Sequence, residues 1–210
     1  MAQPPEAQAF DTSAENLMAV LREASGANEQ DEALKPLGKM RMRPADGEEI
    51  EHEHAWFALL GDMIVRFVFD SPYVMLNAQP QELARLRLSP EQALRLAVRN
   101  IKRVYGDPVA TPWTGGLMLV QGKCPDLDSS YFLDRAFWQV LLWQHPEGIV
   151  VAVPNRGGPL FTPVTDSEAV NRLRKDVAYL HSSGERMRVS SALYLFKDHR
   201  WTVFQPPHAQ

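Results

Sequence analysis

Between residues 61 and 105 the hydrophobic pattern changes period from two to 3.6, and that change limits the folds open to the chain. Over residues 62–70, Met63, Val65, Phe67 and Phe69 fall on one side and Ile64, Arg66 and Val68 on the other, the alternation of a strand. Burying four such side chains is worth roughly 1.5–3 kcal/mol each, so the first side is predicted to face the core. A second extended stretch is expected over residues 73–79. An amphipathic helix then opens with Ser89 at its N-cap, Pro90 at its first position and Gln92 at its third. Leu94, Ala97, Val98, Ile101 and Tyr105 recur at helical spacing, and Gly106-Asp-Pro108 stops the helix. A helix laid on one face of a hairpin is an α+β arrangement.

A chain of 210 residues buries about 70% of the surface it exposes when unfolded, enough for a core without covalent staples. Cys124 is the sole cysteine, which excludes an intrachain disulfide and fits a reducing compartment. Met1-Ala-Gln-Pro-Pro-Glu-Ala-Gln8 has neither the basic nor the apolar region of a secretory signal. The densest apolar stretches, residues 55–60 and 137–143, fall far short of the roughly 20 residues that span a bilayer. A soluble, cytoplasmic protein with no membrane partner is expected. The net charge of −4 is uneven: residues 1–54 carry 12 acids against 5 bases. That acidic leading segment speaks against nucleic acid as a partner and suits contact with a basic protein.

Elsewhere the elements are shorter. Residues 1–11 read as a disordered leader. Thr12-x-x-Glu15 is a capping-box pattern, so Leu17, Val20 and Leu21 are predicted to stripe a short helix. Residues 34–42 and 48–54 read as an exposed hairpin turned through Pro44-Ala-Asp-Gly47, with Leu37, Lys39, Arg41 and Arg43 opposite Met40 and Met42. A strand at 117–121 leads to a helix at 131–144, capped by Ser129 or Ser130 and burying Phe132, Ala136, Phe137, Val140 and Leu141. Residues 149–153 form an unbroken apolar run suited to a central strand, and 160–164 return through the turn Asn155-Arg-Gly-Gly158. Asp166 or Ser167 caps a helix to about Leu180, and a hairpin turned at Lys197-Asp-His-Arg200 closes the chain. The expected organisation is a 1–11 leader, a 12–54 acidic helix and hairpin, and a 55–210 main α+β domain, one domain overall. Strand, turn, strand, capped helix recurs at 62–105 and 148–181, which suggests a duplicated ββα unit around one mixed, mainly antiparallel sheet.

Few residues stand outside this pattern. His52 and His54 sit two apart on a predicted strand and share a face, but a metal site asks for three or four ligands, so they read as surface histidines and no cofactor is expected. Asp126 and Asp128, with Ser129 and Ser130, precede a helix start, where acids and serines satisfy free N–H groups. Cys124 lacks a catalytic signature. Asn155 and Arg156 lie in a glycine turn able to aim amides and a guanidinium fork at an anion, although a plain hairpin also explains the glycines. Arg95, Arg99, Lys102 and Arg103 make one helix basic without the interleaved aromatics of a nucleic-acid surface. Trp113, in a Pro/Gly loop, is a candidate protein-contact anchor.

Leu60-Gly-Asp-Met-Ile-Val-Arg-Phe-Val-Phe-Asp70, Leu88-Ser-Pro-Glu-Gln-Ala-Leu94, Asp128-Ser-Ser130 and Val150-Val-Ala-Val-Pro-Asn-Arg156 together resemble the YtpQ-like bacterial family of unknown function. The likeness runs over about residues 55–205. It departs in the acidic first 50 residues and at Gly157-Gly158, where an acidic residue is expected after the arginine. The resemblance implies a bacterial cytosolic α+β protein and brings no established activity with it; Asn100, Ser130, Asn155 and Arg156 are the positions it marks as shared.

Two functional readings follow. The leading one is a non-catalytic protein-binding protein, such as an immunity or inhibitor protein that covers a basic toxin or enzyme. It rests on the lack of an assembled catalytic set, the acidic leading segment and Trp113. The alternative is a small-ligand or anion-binding protein, or an enzyme, that uses loops 124–130 and 155–158 as one site through Arg156, Asn155, Asp128 and Ser130.

Overall fold

In the computed structural model the described residues are 11–208 except 43–46, 48–49 and 72–73, with the side chains of 40–42 and 50 also left aside. The expected turn at 44–46, the leader before residue 11 and the start of the stretch at Tyr73 lie outside them.

The α+β fold is present, built on two larger antiparallel sheets and a ribbon rather than one mixed sheet. The first sheet takes β1 (Leu17–Glu23), β2 (Lys35–Pro36), β5 (Trp56–Ala58), β6 (Met63–Asp70) and β7 (Met75–Asn77). The ribbon is β3 (Lys39–Met42) on β4 (Ile50–Glu53), the expected hairpin. Two helices follow, α1 (Pro80–Arg85) and α2 (Pro90–Tyr105). The second sheet has β8 (Val109–Pro112) and β9 (Met118–Gln121), then, beyond α3 (Arg135–Gln144), β10 (Ile149–Ala152) and β11 (Leu160–Pro163). After α4 (Ser167–Ser182), β12 (Leu193–Lys197) and β13 (Arg200–Gln205) complete the order β13-β12-β10-β11-β9-β8. Asp198 and His199 both adopt positive φ between β12 and β13, as a two-residue hairpin turn requires.

The helix expected near Leu17 is a strand. Residues 14–16 make one 3-10 turn with no side-chain cap, and Leu17 to Glu23 then pair with Phe69 to Met63. The Thr12 hydroxyl accepts from Arg85 at 2.8 Å instead of capping. The apolar run 17–21 is buried throughout, and a lone short helix is marginal where a full ladder is on offer. β1, rather than β7, is thus the main partner of β6, since β7 pairs only with its last three residues. In the second strand pair, β11 matches β10 along its whole length. The two expected ββα units therefore sit in separate sheets with different strand neighbours.

A second correction concerns α3. Residues 128–133 form a 3-10 turn, Asp134 caps the helix by accepting from Phe137 N–H, and the buried face carries Trp138 and Leu142. Ala136 and Val140 face outward, and Trp143 is 75% exposed. Trp138 sets this phase: its indole donates to the Tyr131 carbonyl at 3.0 Å and packs edge-on against Phe161 and Trp201. α2 has its expected capping box and proline in place; Ala97 and Ile101 of the predicted stripe are buried, together with Ala93 and Asn100, while Leu94, Val98 and Tyr105 are half-buried. No helix among the described residues is long and apolar enough to cross a membrane.

Candidate functional site

Two arginines of the first sheet lie on its mainly apolar strands β1 and β6. Arg22 follows the buried run 17–21 on β1, and Arg66 sits among Ile64, Val65, Phe67 and Val68 on β6. The register pairs Arg22 with Ile64 and Val20 with Arg66, so the two arginines are diagonal neighbours on one face. Arg66 stands opposite Trp56 on β5, with its guanidinium 3.8 Å from the indole centroid. His54 stacks on Trp56 at 4.7 Å, and His52 stacks on His54 at 5.8 Å. The two histidines do share a face, but as part of a ladder of rings ending on Arg66.

The third member is Arg156. Loops 124–130 and 155–158 meet, because Ser129 N–H donates to the Arg156 carbonyl at 2.9 Å. The backbone of Arg156 donates in turn to Met187 O at 3.1 Å, which holds the turn in place. Arg22, Arg66 and Arg156 are all half-buried and act on one another. Burial, then the charges of Arg156 and Arg66, push the Arg22 guanidinium down to about 10, with Asp126 opposing. Burial and Arg156 lower Arg66 in the same way. Among the described residues none of the three is ion-paired with a carboxylate, and the Nε atoms of Arg66 and Arg156 are buried without a partner. Trp56 Nε1 and His54 Nδ1 are also buried without one.

The other expected site residues divide. Asn155 Oδ1 accepts from Gly157 N–H at 2.9 Å and so shapes the turn that presents Arg156. Asp128 lies beneath the crossing, where Oδ1 accepts from Gly122 N–H at 2.9 Å; burial pushes its carboxyl up while that N–H pulls it down. Asp128 Oδ2 and the hydroxyls of Ser129 and Ser130 are buried without partners. Trp113 is 43% exposed but lies apart: its N–H donates to the Leu117 carbonyl just before β9, whereas loop 124–130 follows the end of that strand. Burial raises the half-buried Cys124 thiol, which disfavours the nucleophilic thiolate. Gly158 is explained by packing, since its φ is +115° and a Cβ would come within 2.2 Å of Val120 O.

Comparison with family models, with curated proteins and with solved structures gives no match.

A second polar group lies between the sheets. Asp62, 2% exposed, accepts from the hydroxyls of Ser190 and of Tyr194 (3.2 Å) and from Ser191 N–H (3.1 Å). Burial and the Asp62 charge hold the Tyr194 phenol well above its usual range. Gly61 permits this approach, because a Cβ there would meet Tyr194 OH at 2.5 Å. The sequence reading anticipated few spare polar groups and missed this set, as it missed Arg22 and Arg66. A detectable signal did exist for Arg66, a charge inside a strand whose neighbours on both faces are apolar, but not for Arg22, which Glu23 follows.

Proposed function

We propose that this chain is a binding protein that captures a ligand by an anionic group, phosphate or carboxylate, at Arg22, Arg66 and Arg156. The observation that carries this reading is the diagonal placement of half-buried Arg22 and Arg66 on one face of the sheet, with the charge of Arg156 acting on both and Asp126 opposing at Arg22. Gathering like charges away from water is costly, and an anion between them reverses the sign of that cost. Guanidinium forks match such groups through paired charge-assisted bonds and stay protonated, which suits capture rather than proton transfer. The Val153-Pro-Asn-Arg156 turn, part of the likeness to the YtpQ-like family, supplies one of the three; a shared anion site is our reading of that likeness. A half-buried lone cysteine suits work in the cytoplasm.

Titration calorimetry with inorganic phosphate and with citrate tests the reading. Saturable binding of either, weakened about tenfold or more in Arg156→Gln and falling with added chloride, is expected. Heat that is absent for both anions, or unchanged in the variant, overturns it.

One feature favours the protein-binding reading as a second function. A groove of about 640 Å³ between α2, α3 and the β13 start is floored by Leu34, Leu59, Leu94, Val98, Leu133 and Trp201. An immunity or inhibitor role would use such an apolar floor with its charged rim. Pull-down by the intact chain, compared with Leu94→Asp, tests it: a stoichiometric partner retained equally by both excludes the groove.

A further inference from the structure

We propose that Glu23, Asp62 and His181 form a binding site for one divalent transition-metal ion, zinc or manganese. One carboxylate oxygen of each acid and one imidazole nitrogen of His181 all lie within 4.8 Å of one another. His181 Nε2 and Glu23 Oε1 stand 2.9 Å apart. Ligand atoms about 2.0–2.1 Å from a tetrahedral zinc stand roughly 3.3 Å apart, so small side-chain movements close the shell.

Three separate elements deliver these groups: the last residue of β1, the residue before β6, and the final turn of α4. The site is enclosed, with the His181 and Glu23 side chains 9% and 15% exposed and Asp62 more deeply buried. Independent support comes from the surroundings of Asp62. Its oxygens are held by Ser190, Ser191 and Tyr194, neutral donors without a cation among them. A ligating carboxylate is typically oriented by such outer hydrogen bonds. One imidazole and two carboxylates suit zinc or manganese, whereas calcium and magnesium ask for six or more oxygens. Three protein ligands also leave a fourth position open.

The site is separate from the arginine cluster, since Glu23 points to the face of β1 opposite Arg22. Metal binding therefore stands or falls independently of anion capture. Chelator-treated full-length protein is titrated with Zn²⁺, Mn²⁺ and Mg²⁺ against a competing indicator, alongside His181→Gln, Glu23→Gln and the double variant His52→Gln/His54→Gln. Circular dichroism confirms that each variant is folded. The expected result is one equivalent of Zn²⁺ or Mn²⁺, weakened at least tenfold in the first two variants and unchanged in the third, with a metal-dependent rise in Tm lost only in the first two. Sub-stoichiometric uptake, or uptake indifferent to His181→Gln, overturns the proposal.

Discussion

The side-chain amide of Asn100 donates to the Leu17 carbonyl at 2.9 Å and to the Ala14 carbonyl at 2.8 Å, tying the middle of α2 to the start of β1. Asn100→Ala removes both bonds from a buried place and is expected to cost about 1–3 kcal/mol in urea unfolding. Asn100→Asp should cost more, because a carboxylate would face two carbonyl oxygens. Anion binding should survive in whatever fraction remains folded.

The two α3 tryptophans separate the observed helix phase from the one expected. Trp138→Ala should lose about 3–5 kcal/mol, since its indole is fully buried among Phe161 and Trp201. Trp143→Ser should stay within about 0.5 kcal/mol of the parent. Chemical denaturation of both variants reads the difference directly.

Asp128 offers a pH test. Burial holds its folded carboxyl above the ordinary value of 3.8, so the folded state binds the proton more tightly than the unfolded chain. Its contribution is therefore complete below that value and is lost as pH rises through the raised folded value. Asp128→Asn keeps an acceptor for Gly122 N–H without the buried charge. It is expected to be neutral or stabilising at pH 7, with the gain vanishing in acid when Tm is followed against pH.

If the arginine cluster captures an anion, it should do so at some expense of stability. Arg22→Met removes one of three repelling charges and keeps much of the stem's volume, so the free protein should be as stable as the parent or more so. Phosphate should raise the Tm of the parent and leave Arg22→Met unmoved. A variant that is destabilised and still answers to phosphate would show that Arg22 serves packing alone.

Much of the fold was readable along the chain. α2 announced itself through Ser89, Pro90 and Gln92, α4 through Asp166, and the last hairpin through Asp198 and His199. The failures share a cause. Leu17 to Leu21 carry an apolar run that suits helix or strand, and only the presence of β6 alongside decides for the strand. The pattern of α3 likewise permits two neighbouring phases, and the pocket that receives Trp138 selects one. Of the expected site, Asn155 and Arg156 were visible because a glycine turn exposes an unusual arginine; their meeting with the Ser129 turn was not.

Period, caps and turn residues act within a few residues of one another, so the chain alone dictated most helices, strands and turns, and the α+β class. What gathers Arg22, Arg66 and Arg156, or Glu23, Asp62 and His181, is contact between segments about 40 or more residues apart. A single residue such as Arg66 can stand out locally, but its partners do not, because the groups become neighbours only when the sheets pack and exclude water from between them.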